Sequence, residues 1–438
     1  MRLLHARVFC LLLALALLLG RLGAQVANSP GPDSQSSDPR TIWEADPTSL
    51  PGTGGGAPPA GIDIFPDVIM TLDIPGIIEL SRLAGTGVVV GAAGSQGYGW
   101  DHTPQGDTSG SVAVFQPYAG FYHAGRRDKF IFEYHPTIDL FTGDKWDGSV
   151  LHRAGFNIGY LISPRWTWYV SGRSTYGPAV LEDIGVLTVG LNSFALPTDT
   201  VFISSGTTGF TWRSAKRQTL SFIAGNSYSA IKHGPHFDDS STRVQFAQGF
   251  ARDSNAYVYT QANRYSNLPG CTRVGFGGGV SFGVSANTRF GVQGGPEYSV
   301  GNCVAPVTST FGGFIHQRFT KWTALTVSAS RELTEPALLQ SRWVDRLSAI
   351  LQQRITRTTH LTLGSSYIRS SDLPGTTLPR YRGFLFSSQF HWHVASTVDF
   401  ITSYQYFKRE AATTGFPDRH AWVFFTLVWH PGIHGQAE

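Results

Sequence analysis

The chain has 438 residues, of which 50 are Gly, 29 Phe, 16 Tyr and 11 Trp against two Met, and only 15% are charged. That balance favours strand and turn formers over helix formers, so an all-β protein is expected. The formal charge of +4 falls close to neutral once Arg2, Arg7 and Arg21 leave with the leader described next, and no basic footprint for nucleic acid remains.

In the first segment, 1–24, Arg2, His5 and Arg7 precede an apolar run from Val8 to Leu19 and the small-residue stretch ending at Ala24. The apolar core is about a dozen residues, short of the roughly 20 that a spanning helix needs, so the segment reads as a signal peptide cleaved after Ala24. Cys10 sits among large apolar neighbours rather than in a lipoprotein context and is removed with the leader. Segment 25–61 is dominated by Pro, Gly, Ser and Asp and reads as a disordered linker. Its Gly-rich run Gly52 to Gly56 lacks the preceding strand and following Lys of a phosphate loop. Segment 62–86 mixes apolar residues with Pro66 and Pro75 and reads as a short periplasmic piece near a barrel mouth. No later stretch approaches about 18 uninterrupted apolar residues, which excludes a helical membrane protein.

From 87 to 429 the chain becomes a series of alternating segments. Phe130, Phe132, Tyr134, Ile138 and Leu140 oppose Glu133, His135 and Asp139. Val274, Phe276, Val280, Phe282 and Val284 oppose Gly275, Gly277, Gly279, Ser281 and Ser285. Phe290, Val292, Pro296 and Tyr298 oppose Arg289, Gln293 and Glu297. A Lys or Arg facing lipid at the membrane midplane costs about 2–4 kcal/mol and little in a wet lumen, so the apolar parity is assigned to lipid and the charged one to water. The expected fold is a transmembrane antiparallel up-and-down β-barrel of about 18 strands (16–18), preceded by a disordered N-terminal periplasmic segment and followed by a polar tail, 430–438. Short connections (Gly125 to Asp128, Ser163 to Arg165, Ser214 to Arg217, Ala286 to Thr288, Thr320 to Lys321, Thr356 to Thr359) alternate with generally longer ones (Trp100 to Ser109, Pro178 to Val201, Lys232 to Ser240, Gly301 to Val307, Ser371 to Leu378, Glu410 to Asp418). Asp238, Asp239 and Thr413 to Gly415 are therefore expected outside the cell, and Ser214 to Arg217 and Asn287 in the periplasm. The span from Arg342 to Ile355 would also suit an amphipathic helix. It is read as a strand because an even count returns both ends to one side. Trp166, Trp168, Trp212, Trp322, Trp392 and Trp429 fall beside the short connections or the end of the last strand, as an interfacial girdle would.

Read with its terminal strand HAWVFFTLVW, residues 420–429, the alternating region resembles Gram-negative outer-membrane β-barrels of the porin type. The resemblance implies outer-membrane lipid as surroundings, the barrel assembly machinery as a partner in biogenesis, and passive passage of small polar solutes or ions. It leaves a homo-oligomer open and gives the tail beyond Trp429 no assembly role. Glu133, Asp139, Arg153, Arg173, Arg243 and Arg289 would line the lumen. By analogy with the constriction loop of such porins, the connection Pro178 to Val201 would fold inward, its run Val186 to Leu191 with Phe194 and Leu196 lying on the wall. Glu182 and Asp183 would then face Arg153 and Arg173. A polymer exporter is the alternative function, and a barrel lacking any recognisable site a further one. A receptor with about 22 strands and a plug is disfavoured, because too little chain precedes residue 87.

No enzyme, cofactor or metal site is expected. Gly279-Val280-Ser281-Phe282-Gly283 matches the nucleophile-elbow formula, but Ser281 lies mid-strand rather than on a strand-to-helix turn. His391 and His393 share a face at i, i+2 spacing and read as a solvated pair on a wet wall. Cys271 and Cys303, in connections separated by one hairpin and exposed to an oxidising compartment, are expected to form a disulfide.

Overall fold

In a computed structural model, the described residues lie between 85 and 429, without 104–105, 143–148, 179–199, 216, 233–235, 252–253, 266–270, 286, 302, 304–306, 335–341, 372–380 and 412–416. They form β1 (Gly85–Thr103), β2 (Gly106–Ala124), β3 (Asp128–Tyr134), β4 (Thr137–Thr142), β5 (Val150–Ser163), β6 (Trp166–Pro178), β7 (Thr200–Ala215), β8 (Gln218–Ile231), β9 (His236–Ala251) and β10 (Ser254–Tyr265). The second half comprises β11 (Cys271–Ser285), β12 (Thr288–Gly301), β13 (Val307–Thr320), β14 (Thr323–Thr334), β15 (Arg342–Arg354), β16 (Thr359–Ser371), β17 (Tyr381–Ala395), β18 (Val398–Ala411) and β19 (Pro417–Trp429).

All belong to one antiparallel sheet whose neighbours follow chain order, and β1 pairs with β19 from Ala92↔Trp429 to His102↔Arg419, so the sheet closes on itself. β3 and β4 are two halves of one barrel strand. Both pair with β2 and with β5, and the register Ala119↔Tyr134 continues as Phe115↔Ile138 across the break. The break falls at His135 and Pro136, where Pro has no N–H to give the ladder, while the His135 N–H still donates to the Arg153 carbonyl at 2.9 Å. The barrel therefore has eighteen strands. The span read as the weakest strand is one: β15 pairs along its length with β14 and β16.

Gly85 and Trp429 stand at the same rim, called the near rim here, together with most of the short connections. The connections at the far rim are longer, except that only residues 104–105 separate β1 from β2. The strands also reach further than the sequence suggests at that rim. Asp238 and Asp239 lie within β9 rather than in a loop, and Asp238 accepts a hydrogen bond from Asn226 Nδ2 at 2.7 Å. Thr413 to Gly415 lie outside the described residues.

Large apolar side chains project from the outer surface all round the barrel. Val284 is 71% exposed and Val88 69%, with Phe132, Phe222, Phe276, Ile315, Leu347 and Phe425 exposed among them. A water-soluble protein does not show a continuous apolar exterior of this kind, whereas lipid is its natural surroundings. At the near rim, Trp166 and Trp212 stack outward with ring centroids 5.7 Å apart, and Trp392 and Trp429 are also exposed. Trp322, in the turn between β13 and β14, takes Lys321 and Arg354 against its ring at 5.1 and 4.9 Å.

The expectation that charges keep to the inward parity fails towards the far rim, where Arg369, Arg382, Lys408 and Glu410 stand at outward register positions along with the pair that follows. Arg331 and Asp345 share the outward face with Phe311 and Leu347. Arg331 Nε and Nη2 donate to the two carboxylate oxygens of Asp345 at 2.6 and 2.9 Å. Both residues lie near the far rim, where headgroups and water replace hydrocarbon and a charged pair is tolerated.

Candidate functional site: the inward wall

The inward face divides into two arcs of different chemistry. The first runs over β9 to β13. Arg243 on β9 is buried with its guanidinium carbon 3.9 Å from the centre of the Tyr259 ring, and its Nη2 donates to Gln245 Oε1 at 2.9 Å. On β10, the Tyr257 hydroxyl donates to Gln293 Oε1 at 2.6 Å and Gln261 Nε2 donates to Glu297 Oε1 at 2.7 Å. Arg273 on β11 is fully buried and its Nη1 donates to Thr308 Oγ1 at 3.3 Å. Arg273 Nε and Nη2 and Glu297 Oε2 make no hydrogen bond among the described residues. These atoms have almost no exposed surface, so the arc is a polar network held within the wall.

Glycines on β11 make the arc geometrically possible. A Cβ on Gly279 would stand 2.5 Å from the Tyr257 ring, and one on Gly277 would stand 2.6 Å from the Tyr259 hydroxyl. The two tyrosines therefore lie flat over backbone that carries no side chain; the Tyr257 hydroxyl reaches Gln293, and Arg243 stacks on the face of the Tyr259 ring.

The second arc runs over β18, β19, β1 and β2. Val89 and Ala93 of β1, Tyr118 of β2, Ile401 of β18 and Val428 of β19 pack as one buried cluster, with Val112, Val114 and Phe424 as a second beside it. Here Phe424 covers Gly97 and Trp422 covers Gly99, each ring 2.4–2.6 Å from where a Cβ would be. These residues are apolar and inward. The rule that apolar parity faces lipid misses them.

Of the residues expected in the lumen, Arg153, Arg173, Arg243 and Arg289 stand on inward register positions, as does Glu133. Arg153 donates through Nη1 to Thr137 Oγ1 at 2.8 Å and Arg173 through Nε to Ser205 Oγ at 3.3 Å. Asp139 stands opposite inward Val114 in the register. Glu182 and Asp183, with the rest of the proposed constriction, lie outside the described residues. Arg273 and Gln261, central to the first arc, were not singled out from the sequence. The signal available was the inward parity of Arg273 next to Val274, which the alternating pattern already contained.

Ser281 is buried on the inward face in mid-β11, a position with no turn to expose a nucleophile. Cys271 and Cys303 are disulfide-bonded, with Cα atoms 4.9 Å apart. Cys271 is the first residue of β11 rather than part of a loop, and pairs with Gly301 at the end of β12. Gly301 has φ of 91°, a left-handed conformation that glycine adopts without strain, and it turns the chain so that Cys303 returns to its partner. His391 and His393 do not form the lone solvated pair expected: the fully buried Asp399 of β18 joins them on the inward face.

A closed even-stranded sheet with both ends at one rim, an apolar exterior and a hydrogen-bonding interior define a transmembrane β-barrel of the outer-membrane type. No protein-family model and no curated protein matches the sequence. Among solved structures, the chain is similar in fold to OccAB4 of Acinetobacter baumannii, at 7% identity and TM-score 0.47 over 79% of this chain and 99% of that one. It is similar also to OpdQ of Pseudomonas aeruginosa, at 8% identity and TM-score 0.44 over 79% of this chain and 98% of that one. A third is the siderophore receptor PirA of Pseudomonas aeruginosa, at 7% identity and TM-score 0.40 over 78% of this chain and 80% of that one. At such identities the likeness is one of fold alone.

Proposed function

We propose that the protein is an outer-membrane channel for the passive passage of small polar solutes, with a preference for anions. The observation that carries this reading is a closed barrel with an apolar exterior and with polar and charged side chains at its inward register positions. A barrel of 16–18 strands is wide enough for an aqueous path. By register, the inward positions of the described residues carry more guanidinium than carboxylate: Arg153, Arg173, Arg213, Arg243, Arg273, Arg289, Arg318, Arg342, Arg346, Arg354 and Arg409 outnumber Asp101, Glu133, Asp139, Asp239, Glu297, Glu332, Asp399 and Asp418. Fixed positive charge on a wall of low dielectric concentrates anions and repels cations. In this reading the near rim faces the periplasm and the far rim the cell exterior.

The test is single-channel recording on refolded protein in a planar bilayer under a KCl gradient. Discrete conductance steps with a reversal potential on the chloride side are expected. Absence of conductance from protein that migrates as a folded barrel would reject the channel, and a reversal potential on the potassium side would reject the anion preference alone.

A further inference from the structure

We propose that His391, His393 and Asp399 form a binding site for a divalent transition-metal ion of the zinc class, on the inward wall at the near rim. The site is made by register. β17 and β18 are joined by the two-residue turn Ser396 and Thr397, which sets His393 directly opposite Asp399, with a bulge between His393 and Ala395. On the other side of β17, His360 of β16 stands opposite His391. Inward parity is shared by all four, so three imidazoles and one carboxylate from three adjacent strands meet on one patch of wall.

Distances within the patch suit a metal. One ligand atom from each of His391, His393 and Asp399 can be taken so that all lie within 4.8 Å of one another. His393 Nδ1 is hydrogen-bonded to Asp399 Oδ1. His391 Nε2 is buried, makes no hydrogen bond, and stands 3.5 Å from Asp399 Oδ2. Two ligands on a tetrahedral zinc with bonds of about 2.0–2.1 Å stand about 3.4 Å apart, so that gap is the width of a shared ion. The His391 and His393 rings are 4.5 Å apart between centroids, and His360 lies 6.2 and 6.0 Å from them, close enough to turn in as a fourth ligand.

Electrostatics supplies the second argument. Asp399 is fully buried, and its β19 neighbour in the register is the apolar Val428, itself opposite Ala93. A carboxylate so placed is costly unless opposed by positive charge. A bound dication provides both charge and coordination. Imidazole nitrogen with one carboxylate oxygen is a donor set for zinc, copper, nickel or iron, not for calcium or magnesium, which require oxygen-rich shells. Bound metal would tie β16, β17 and β18 together at the periplasmic mouth.

The experiment is titration of chelator-stripped, folded full-length protein in detergent with Co2+, read by visible d–d absorption, followed by displacement with Zn2+. Saturation at one equivalent is expected, with His391→Gln, His393→Gln and Asp399→Asn each weakening binding more than about tenfold and His360→Gln weakening it less. Folding of each variant is checked by heat-dependent gel migration. Should Asp399→Asn not fold, His391→Gln decides, since it removes one ligand and leaves the His393–Asp399 hydrogen bond in place. Wild-type protein without a stoichiometric site, or binding unchanged in folded His391→Gln and His393→Gln, would overturn the proposal.

Discussion

The wall of β10 and β11 and the wall of β1, β2 and β19 share one device and use it differently. Both lay aromatic rings over glycines of the neighbouring strand: Tyr257 and Tyr259 over Gly279 and Gly277 in the first, Tyr118, Phe424 and Trp422 over Gly91, Gly97 and Gly99 in the second. In the polar arc the Tyr257 hydroxyl meets Gln293 and the Tyr259 ring face takes the Arg243 guanidinium. In the apolar arc Phe424 packs with Val112 and Val114, and Tyr118 with Val89, Ala93, Ile401 and Val428. The comparison teaches that ring-on-glycine contact sets the packing, while the groups beyond the ring decide whether the wall is held by hydrogen bonds or by apolar contact.

Substitutions in the two arcs should therefore differ in size and in kind. The largest effect is expected from Phe424→Ala, which removes a buried ring from the apolar arc and costs about 3–5 kcal/mol of stability. The denaturant midpoint of folded protein in detergent measures it, and ion selectivity should stay as in the wild type. Gln261→Leu comes next, at about 1.5–3 kcal/mol, because it strips the donor from a buried carboxylate oxygen of Glu297. If Gln261→Leu shifts the midpoint further than Phe424→Ala, the division of labour between the arcs is wrong. Tyr257→Phe keeps its ring over Gly279 and loses only the bond to Gln293, so about 0.5–1.5 kcal/mol is expected. A loss as large as that of Phe424→Ala would show that the hydroxyl, not the ring, holds this wall. The smallest effect, about 0.2–1 kcal/mol, belongs to Arg331→Ala on the outer surface, since exposed ion pairs contribute little. That variant should conduct with wild-type selectivity, and a change in reversal potential would place Arg331 in the path after all.

Strand number and closure were legible because outward positions obey a strict rule: Phe276, Phe282, Phe290 and Tyr298 alternate with Gly, Ser, Arg and Glu, and lipid tolerates no slip of register. Inward positions obey no such rule. The run Val88-Val89-Val90 places Val89 inside and its neighbours outside, and the sequence shows three equal residues. The histidine cluster was hidden for a different reason. Asp399 is six residues beyond His393 and His360 is thirty-one before His391, so neither separation signals contact until the turn at Ser396 and Thr397 and the pairing of β16 with β17 are known. Arg331 and Asp345 escape the parity rule because parity alone does not report height above the membrane.

Cys271 and Cys303 bear on how the barrel is built. Their bond joins the two legs of a single hairpin, β11 and β12, across a sequence separation of 32. By loop entropy, closing a loop of that size contributes about 3–4 kcal/mol. A cross-link between distant strands would tie the chain into a ring through which later segments must find their way. This one encloses only the hairpin itself, so oxidation before membrane insertion or after it gives the same topology.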